Sequence, residues 1–326
     1  MKRLIICGFL LGCMITGAEG QTFNKGGRTA MQFLKIGIGA RQVAVGEACI
    51  AGVQDINAVF WNPAAITGVQ SAEASFSYAS WFANLSYMAG AVGYRWEDVG
   101  TFALSYASLD YGQIDEALVS ISGGGSDTRT GNTFSGGDVL LGLSFSKEFS
   151  NHLSIGGTAK FIQEKLFIYG ERLFAFDVGT FYDTHFKGIR IAMAAQNFAG
   201  SVKWLAVSDR QEGYDIPLVF RIGASANLLG VENAFLDVGE LHRLTVNLDA
   251  IHTNDYAGRF HLGGEYEFSG FLSLRGGYRF NYNEGNVSFG IGVQQEVSGM
   301  HLRLDYAYVS FTYLESPHRI TLSVAF

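Results

Sequence analysis

The chain is short of proline, charge and cysteine, and it has no long apolar run. Only 3 of its 326 residues are Pro, so extended segments can pair with few interruptions. Charged residues make up 16%, against about 25% in average soluble domains. With aromatics at 14%, this composition excludes a disordered chain. The 42 glycines follow no Gly-X-Y period, which excludes collagen. A net charge of −7 argues against nucleic acid as a partner, since a binder would carry a basic patch. Of the three cysteines, Cys7 and Cys13 fall within residues 1–20, an export segment. Cys49 alone is left, so no intramolecular disulfide is expected, and its simplest role is that of a small buried hydrophobe. No apolar run reaches about 18 residues beyond that segment, so no transmembrane helix is expected.

Residues 1–20 read as a secretory signal peptide. Lys2 and Arg3 form the positive start, Leu4 to Ile15 the apolar stretch, and Ala18-Glu19-Gly20 the small-residue site, with cleavage expected before Gln21. A lipoprotein site at Leu10-Leu11-Gly12-Cys13 is the alternative, but Leu11, two residues before the Cys, and the short apolar run ahead fit poorly. An exported, apolar, Gly- and aromatic-rich chain without a spanning helix is reconciled by a transmembrane β-barrel, whose strands need only about 9–11 residues each.

Alternation supports this. Ile320, Leu322, Val324 and Phe326 alternate with Arg319, Thr321, Ser323 and Ala325. Leu244, Val246, Leu248 and Ala250 alternate with Arg243, Thr245, Asn247 and Asp249. Period two with one apolar face marks strands with one side in an apolar medium. A soluble sandwich also alternates, but these segments are long and run in a sequential meander. Fourteen are expected: 70–80, 85–96, 99–111, 138–149, 153–166, 174–186, 189–199, 217–229, 242–253, 258–268, 271–281, 286–297, 300–311 and 317–326. The fold class is therefore all-β, a 14-stranded antiparallel transmembrane barrel over 69–326. The second segment alternates poorly. Long polar connections at 112–137 and 200–216, with shorter ones at 254–257, 282–285 and 312–316, should be external. The connection 230–241 should be periplasmic and is too long for that side. Parity predicts a three-residue loop, Ser269-Gly270-Phe271, with Glu265 opposite Arg275. It also predicts a two-residue turn, Ser298-Gly299, pairing Glu296 with His301 and Gln294 with Arg303.

Residues 21–68 do not alternate and are expected to form a small plug inside the lumen. Ile36-Gly37-Ile38-Gly39-Ala40-Arg41-Gln42 superficially suggests a dinucleotide loop, but it lacks the third Gly and the strand–helix setting. More specific is Arg41-Gln42-Val43-Ala44-Val45-Gly46-Glu47-Ala48, followed by Asp55 to Ala58 and then Phe60-Trp61-Asn62-Pro63-Ala64-Ala65. This arrangement resembles the PorV/PorQ family of outer-membrane barrels, relatives of the FadL fatty-acid transporters. Ala40, Arg41, Gly46, Ala48, Asp55, Trp61, Asn62, Pro63 and Ala64 fit that pattern over about forty residues. Glu47 stands where a small residue is usual, and Ala65 where Gly is common. Asn before Pro favours an extended or turn conformation, and its side chain can cap a helix or bind turn backbone. Seating of the plug is the simplest role for Arg41, Gly46, Asp55, Trp61, Asn62 and Pro63; ligand gating is the sharper one. Outer-membrane barrels of this kind often end in an aromatic residue read by the assembly machinery, which is the role the resemblance gives Phe326.

No catalytic motif stands out, and no enzyme activity, cofactor or metal is expected. The seven histidines are scattered without a compact ligand spacing, and no Gly-x-Ser-x-Gly elbow occurs. The polar faces of the strands would put Glu265, Glu267, Arg275, Arg279, Arg303 and Asp305 in the lumen, with Arg319, Asp177 and Asp183. They would serve as cross-strand pairs or as a selectivity lining. The resemblance implies a Gram-negative outer membrane of a Bacteroidetes-like lineage, with outer-membrane lipid as the surrounding partner. It further implies a type IX secretion component that binds secreted cargo proteins or a large translocon. The FadL side of the resemblance implies instead a transporter of an apolar ligand bound near the plug and released through the wall. A purely structural barrel is the third reading. A transporter should show an apolar inward pocket near 24–66. A secretion partner should show exposed aromatics among Phe167, Tyr169, Trp204, Tyr214, Tyr282 and Tyr313, which could equally be an aromatic girdle.

Overall fold

Alternating segments pair with their neighbours along the whole chain beyond residue 71. The computed structural model describes residues 26–117, 129–203, 213–231 and 233–326. The signal segment, the Gly-Ser tract 122–127 and Trp204 lie outside the described residues. The strands are β1 (Ala72–Ser80), β2 (Ser86–Trp96), β3 (Gly100–Ala117), β4 (Arg129–Glu148) and β5 (Leu153–Leu166). Next come β6 (Tyr169–Asp183), β7 (Arg190–Phe198), β8 (Val219–Gly230), β9 (Leu236–Asp237) and β10 (His242–Thr253). The last are β11 (Arg259–Phe268), β12 (Leu272–Phe280), β13 (Val287–Val297), β14 (Met300–Ser310) and β15 (His318–Ala325). The two-residue β9 lies parallel to the end of β8. The other fourteen form an antiparallel meander, with β8 paired to β10, closed by β1 against β15. Closure leaves no free sheet edge along the wall, as a lipid-embedded sheet requires.

Burial runs inside out. On β15, Arg319, Thr321 and Ser323 are buried while Ile320 and Leu322 are exposed. Leu104 and Phe174 point outward with 58% and 68% of their surface exposed. A soluble sandwich would bury these apolar side chains and expose the polar ones. Here the apolar face meets lipid and the polar face meets the lumen.

Both inferred registers are present. Glu265 faces Arg275 across the loop 269–271, and Glu296 faces His301 and Gln294 faces Arg303 across Ser298-Gly299. Two expectations change. The stretch 112–137 is not all loop, because β3 and β4 continue to Ala117 and from Arg129 as a ribbon beyond the neighbouring strands. Side-chain bonds such as Glu116 accepting from Thr130 at 2.7 Å hold that ribbon, across two register shifts. Likewise β6 begins at Tyr169, not at 174. The long periplasmic connection 230–241 folds back along β8, where Phe235 N donates to Asn227 O and Val238 N to Gly230 O.

The poor alternation of β2 has a packing cause. Its inward positions include Ala89, Ala91 and Gly93, and a Cβ on Gly93 would come within 2.5 Å of Ile56 Cδ1. The strand gives up side-chain volume to the plug.

The plug occupies the lumen with short helical turns at Gln32–Lys35, Ala40–Ala44, Ile56–Phe60 and Pro63–Gly68. Asp55 caps the third by accepting from Asn57 N, at 2.9 Å. Asn62 caps the fourth by accepting from Ala64 N at 3.1 Å, with Pro63 in the first helical position, where its missing N–H is not needed. Val45, Ile50, Ile56, Val59, Trp61, Ala64 and Ile66 form the core of the plug, against Ala91, Ala103, Phe181 and Ala192 of the wall. Small wall residues let plug backbone pass close by. Gly46 (φ +68°) runs so near β12 that a Cβ there would meet Tyr278 N at 2.9 Å.

Candidate functional site: the two faces of the plug

Wall side chains reach inward and take up plug groups that have no backbone partner. Asp249 accepts from Cys49 N at 2.8 Å, Glu73 from Ile56 N at 3.1 Å, Glu164 from Met31 N at 2.9 Å, and Thr321 Oγ1 from Ala40 N at 2.8 Å. The plug's irregular backbone can be buried because these oxygens satisfy it. Cys49 is buried as a free thiol.

On the periplasmic side, taking the short turns as periplasmic, six charges close a ring. Arg41 donates through Nη1 to Asp55 at 3.2 Å, and through Nε and Nη2 to both oxygens of Glu265 at 2.8 and 2.6 Å. Glu265 accepts in turn from Arg275 Nε, and Arg275 Nη1 donates to Asp305 at 2.7 Å. Arg303 donates to Asp305 at 3.0 Å and returns to Asp55 at 2.6 Å. Three guanidinium groups alternate with three carboxylates. Arg41 and Asp55 come from the plug, and four residues come from β11, β12 and β14. Burial opposes ionisation of Asp55, but Arg303 and Arg41 outweigh it and hold its carboxyl below the usual range.

The structure thus brings together two residues that the sequence assigns to a motif and four that it assigns to the lumen. Glu267 stays outside the ring and pairs with the exposed Arg243 at 3.2 Å. Arg279 lies in the outer half, where Nη1 reaches Glu47 at 2.8 Å and Nε reaches Gly285 O at 2.7 Å. Asp177 pairs with Lys160 at 2.5 Å, and Asp183 sits at the periplasmic rim with Arg190 at 3.4 Å. Asn62 Nδ2 donates to Thr180 O of β6 at 3.1 Å, tying the Asn-Pro turn to the wall. Trp61 is buried, donates from Nε1 to Ile38 O at 3.0 Å, and lies under Arg221 of β8, whose guanidinium carbon is 4.9 Å from the ring centre. Phe326 ends the chain beside β1, its N–H donating to Ala72 O at 2.9 Å and its ring exposed.

Above the plug lies a cavity of about 260 Å³. Leu34, Ile36, Ile38, Val59, Phe60 and Trp61 line it from the plug, facing Tyr87, Leu140, Val219 and Ile251 of the wall. Lys160, Arg221, Arg259, Arg279 and Glu47 supply its charges. Lys35 closes one side with Asp255 at 2.5 Å. Burial opposes ionisation of Glu47, and Arg279, then His261, Arg221 and Arg319, overcome it. Sequence reasoning missed Arg221 and Glu47 as partners in this space. The one signal was that Glu47 departs from the pattern of its motif. Among the described residues, no group of three or more His, Cys, Asp or Glu could hold a metal ion.

The external rim is divided. Phe167, Tyr169, Tyr214 and Tyr313 are exposed, whereas Tyr282 turns inward and its hydroxyl lies 2.9 Å from His261 Nε2.

No protein-family model matches the chain, and no curated protein does. Solved structures do. The toluene transporter TodX of Pseudomonas putida superposes with a TM-score of 0.57 at 10% identity, covering 88% of this chain and 97% of that one. The toluene transporter TbuX of Ralstonia pickettii gives 0.55 at 12% identity, with 88% and 97% covered. A Pseudomonas aeruginosa FadL homologue gives 0.50 at 10% identity, over the same shares. At such identities the likeness is one of fold. The chain has the fold of a FadL-type outer-membrane barrel, fourteen-stranded and closed. The PorV/PorQ resemblance is carried by the plug motif alone.

Proposed function

We propose that this barrel passes small apolar compounds across the outer membrane, holding them in the cavity between the plug and the outer half of the wall. The observation that carries the reading is that cavity, which six apolar plug residues from Leu34 to Trp61 line. Its position matches the inward pocket expected of a transporter near 24–66. The fold likeness to barrels described as toluene transporters supports the same direction. Its volume suits a single-ring or short-chain molecule better than a bulky one. Uptake of labelled toluene by cells lacking other hydrocarbon barrels tests the reading. Expression of this chain should raise the uptake rate above an empty vector, and equal rates would sink the idea.

A second reading keeps the chain as a type IX secretion component that binds cargo or the translocon in a Bacteroidetes-like outer membrane. One observation favours it. Leu166, Phe167, Ile168 and Tyr169 are exposed at the β5–β6 tip, beyond the polar Lys165, Glu171 and Arg172 that follow the apolar belt. Apolar side chains outside the lipid zone mark contact surfaces. Affinity purification from gently solubilised membranes separates the two readings, since recovery of a very large barrel or of secreted proteins sharing a C-terminal domain supports only the second. In either case Phe326 serves as the assembly signal, and its deletion should lower the amount of folded barrel in the membrane.

A further inference from the structure

The lipid-facing ends of the strands differ around the outer rim. Much of that rim is aromatic, with Tyr78, Phe198, Phe220, Phe260 and Phe280 exposed. Strands β5 and β6 present two cations instead. Glu164 turns inward to Met31 N, so Gln163 and Lys165 point outward by alternation. Gln163 faces Arg172 across the sheet, which sets Lys165 and Arg172 diagonally beside each other on the lipid side. Both are exposed. Among the described residues, no carboxylate pairs with either head group. Lys165 lies between Gly137 of β4 and Gly170 of β6, so no cross-strand side chain covers it. Asp110, the outward carboxylate of the same row, is turned to its own backbone and accepts from Gly112 N at 2.9 Å.

Beneath the two cations the outside of the wall is grooved. Phe174, Phe161, Leu141 and Tyr106 form one outward row across β6, β5, β4 and β3. Ala159, Leu143 and Leu104 belong to the next row down. The groove along these rows has a volume of about 650 Å³. Ala159 deepens it, beside the tilted rings of Phe161 and Phe174, whose centres are 5.6 Å apart. Rows of paired residues run oblique to the membrane normal, because the strands of such barrels tilt by about 35–45°. Hydrocarbon lying in a trough of this kind gains contacts that a smooth wall does not offer.

We propose that this outer face of β4 to β6 holds one phosphorylated glycolipid of the outer leaflet. A phosphate sits on Lys165 and Arg172, and acyl chains lie in the groove below. Arg172 offers a planar fork that suits phosphate oxygens, and Lys165 adds a mobile point charge. With the short turns periplasmic, the ends of β5 and β6 that meet at the tip lie on the external side. The outer leaflet there is built from a glycolipid with phosphates on its sugars and several acyl chains, so its headgroups meet this pair. The lipid packs against the outside of the wall, and the inference is independent of what passes through the lumen.

The test is native mass spectrometry of the purified full-length barrel in mild detergent at fixed ionic strength. The probes are lipid A, lipid A stripped of its phosphates, phosphatidylglycerol and inorganic phosphate. The barrel should retain one lipid A. Lys165→Gln combined with Arg172→Gln should weaken that binding about 30-fold, five- to sixfold for each charge lost. Phosphate-free lipid A should bind the unaltered barrel about as weakly. Ala159→Trp fills the groove but keeps both cations, and it should weaken lipid A with and without phosphates. Arg243→Gln, at the periplasmic end, should leave lipid A binding unchanged. Circular dichroism confirms the barrel in each variant, and all the altered side chains lie outside the plug contacts. Undiminished lipid A binding in the double variant or in Ala159→Trp would overturn the inference. Phosphatidylglycerol binding as tightly as lipid A would overturn the glycolipid assignment. Inorganic phosphate binding as tightly as lipid A would reduce the pair to an adventitious anion site and overturn it too.

Discussion

The two faces of the plug are built on opposite principles. On the periplasmic face, Asp55, Arg41, Glu265, Arg275, Asp305 and Arg303 form a closed alternating ring in which every charge has two partners of opposite sign. On the outer face, Glu47 is one carboxylate among four guanidinium groups, those of Arg221, Arg259 and Arg279 beside a cavity and that of Arg319 near it, and only Arg279 pairs with it. A balanced ring has no use for a further ion, because any addition would cost desolvation without a free partner. An unbalanced cluster can gain from one. The difference teaches that the plug is anchored from below and receptive from above.

The sharpest way to break the comparison is to unbalance the ring. Asp55→Asn leaves Arg41 and Arg303 facing one another without their shared carboxylate. Removing one partner of a buried ion pair costs about 3–5 kcal/mol. The barrel wall, with its own backbone ladder, should persist. Hydrogen exchange should therefore show plug amides such as those of Ile56 to Trp61 losing protection while the strands keep theirs. Unchanged protection of the plug would show that the ring does not seat it.

The same treatment on the outer face should cost less. Glu47→Gly removes the ion pair with Arg279 but frees a left-handed backbone that costs a non-Gly residue about 1 kcal/mol. Arg279 keeps Gly285 O as an acceptor. The plug in Glu47→Gly should lose clearly less protection than in Asp55→Asn, measured side by side by the same exchange experiment. Equal losses would mean that both faces anchor it.

Acid offers a graded version. Asp55 is held below the usual carboxylate range, so its ring contacts add stability that is fully present above the unfolded value of about 3.9. That contribution falls away as the pH drops through the lower folded value. Plug protection should hold from neutrality down to about pH 4 and decline below it. Asp55→Asn should flatten that decline, and a decline of the same size in the variant would assign the acid response to other carboxylates.

Much of the wall was legible in the sequence, because a strand with one face in lipid must alternate and because parity ties each hairpin to its turn length. Glu265 opposite Arg275 followed from the matching parity of the two polar faces and the three-residue loop Ser269-Gly270-Phe271. The ribbon at 111–117 and 129–135 was not legible, because it stands clear of the lipid belt and has no apolar face to mark it. The ring was half legible. Its wall members lay on predicted polar faces and its plug members in a motif, but pattern along a chain does not say that residue 41 meets residue 265. Arg221 escaped notice because β8 around it, Phe220-Arg221-Ile222, reads as one more alternating triplet. Its meaning depends on Trp61, which lies 160 positions away in the chain.

The smallest expected effect supplies the control for all of these. Glu267 is a lumen-facing charge by parity, as Glu265 is, one inward position further along β11. Yet its partner Arg243 has 63% of its side chain exposed. An exposed pair of this kind contributes about 0–1 kcal/mol, because water screens both charges and the long side chains lose freedom in pairing. Arg243→Gln should leave the protection of plug and wall unchanged, and so should high salt. If it loosened the plug as much as Asp55→Asn does, then net charge in the lumen, and not closure of the ring, would be what holds the plug. The contrast between the two faces would then reduce to a difference in charge density.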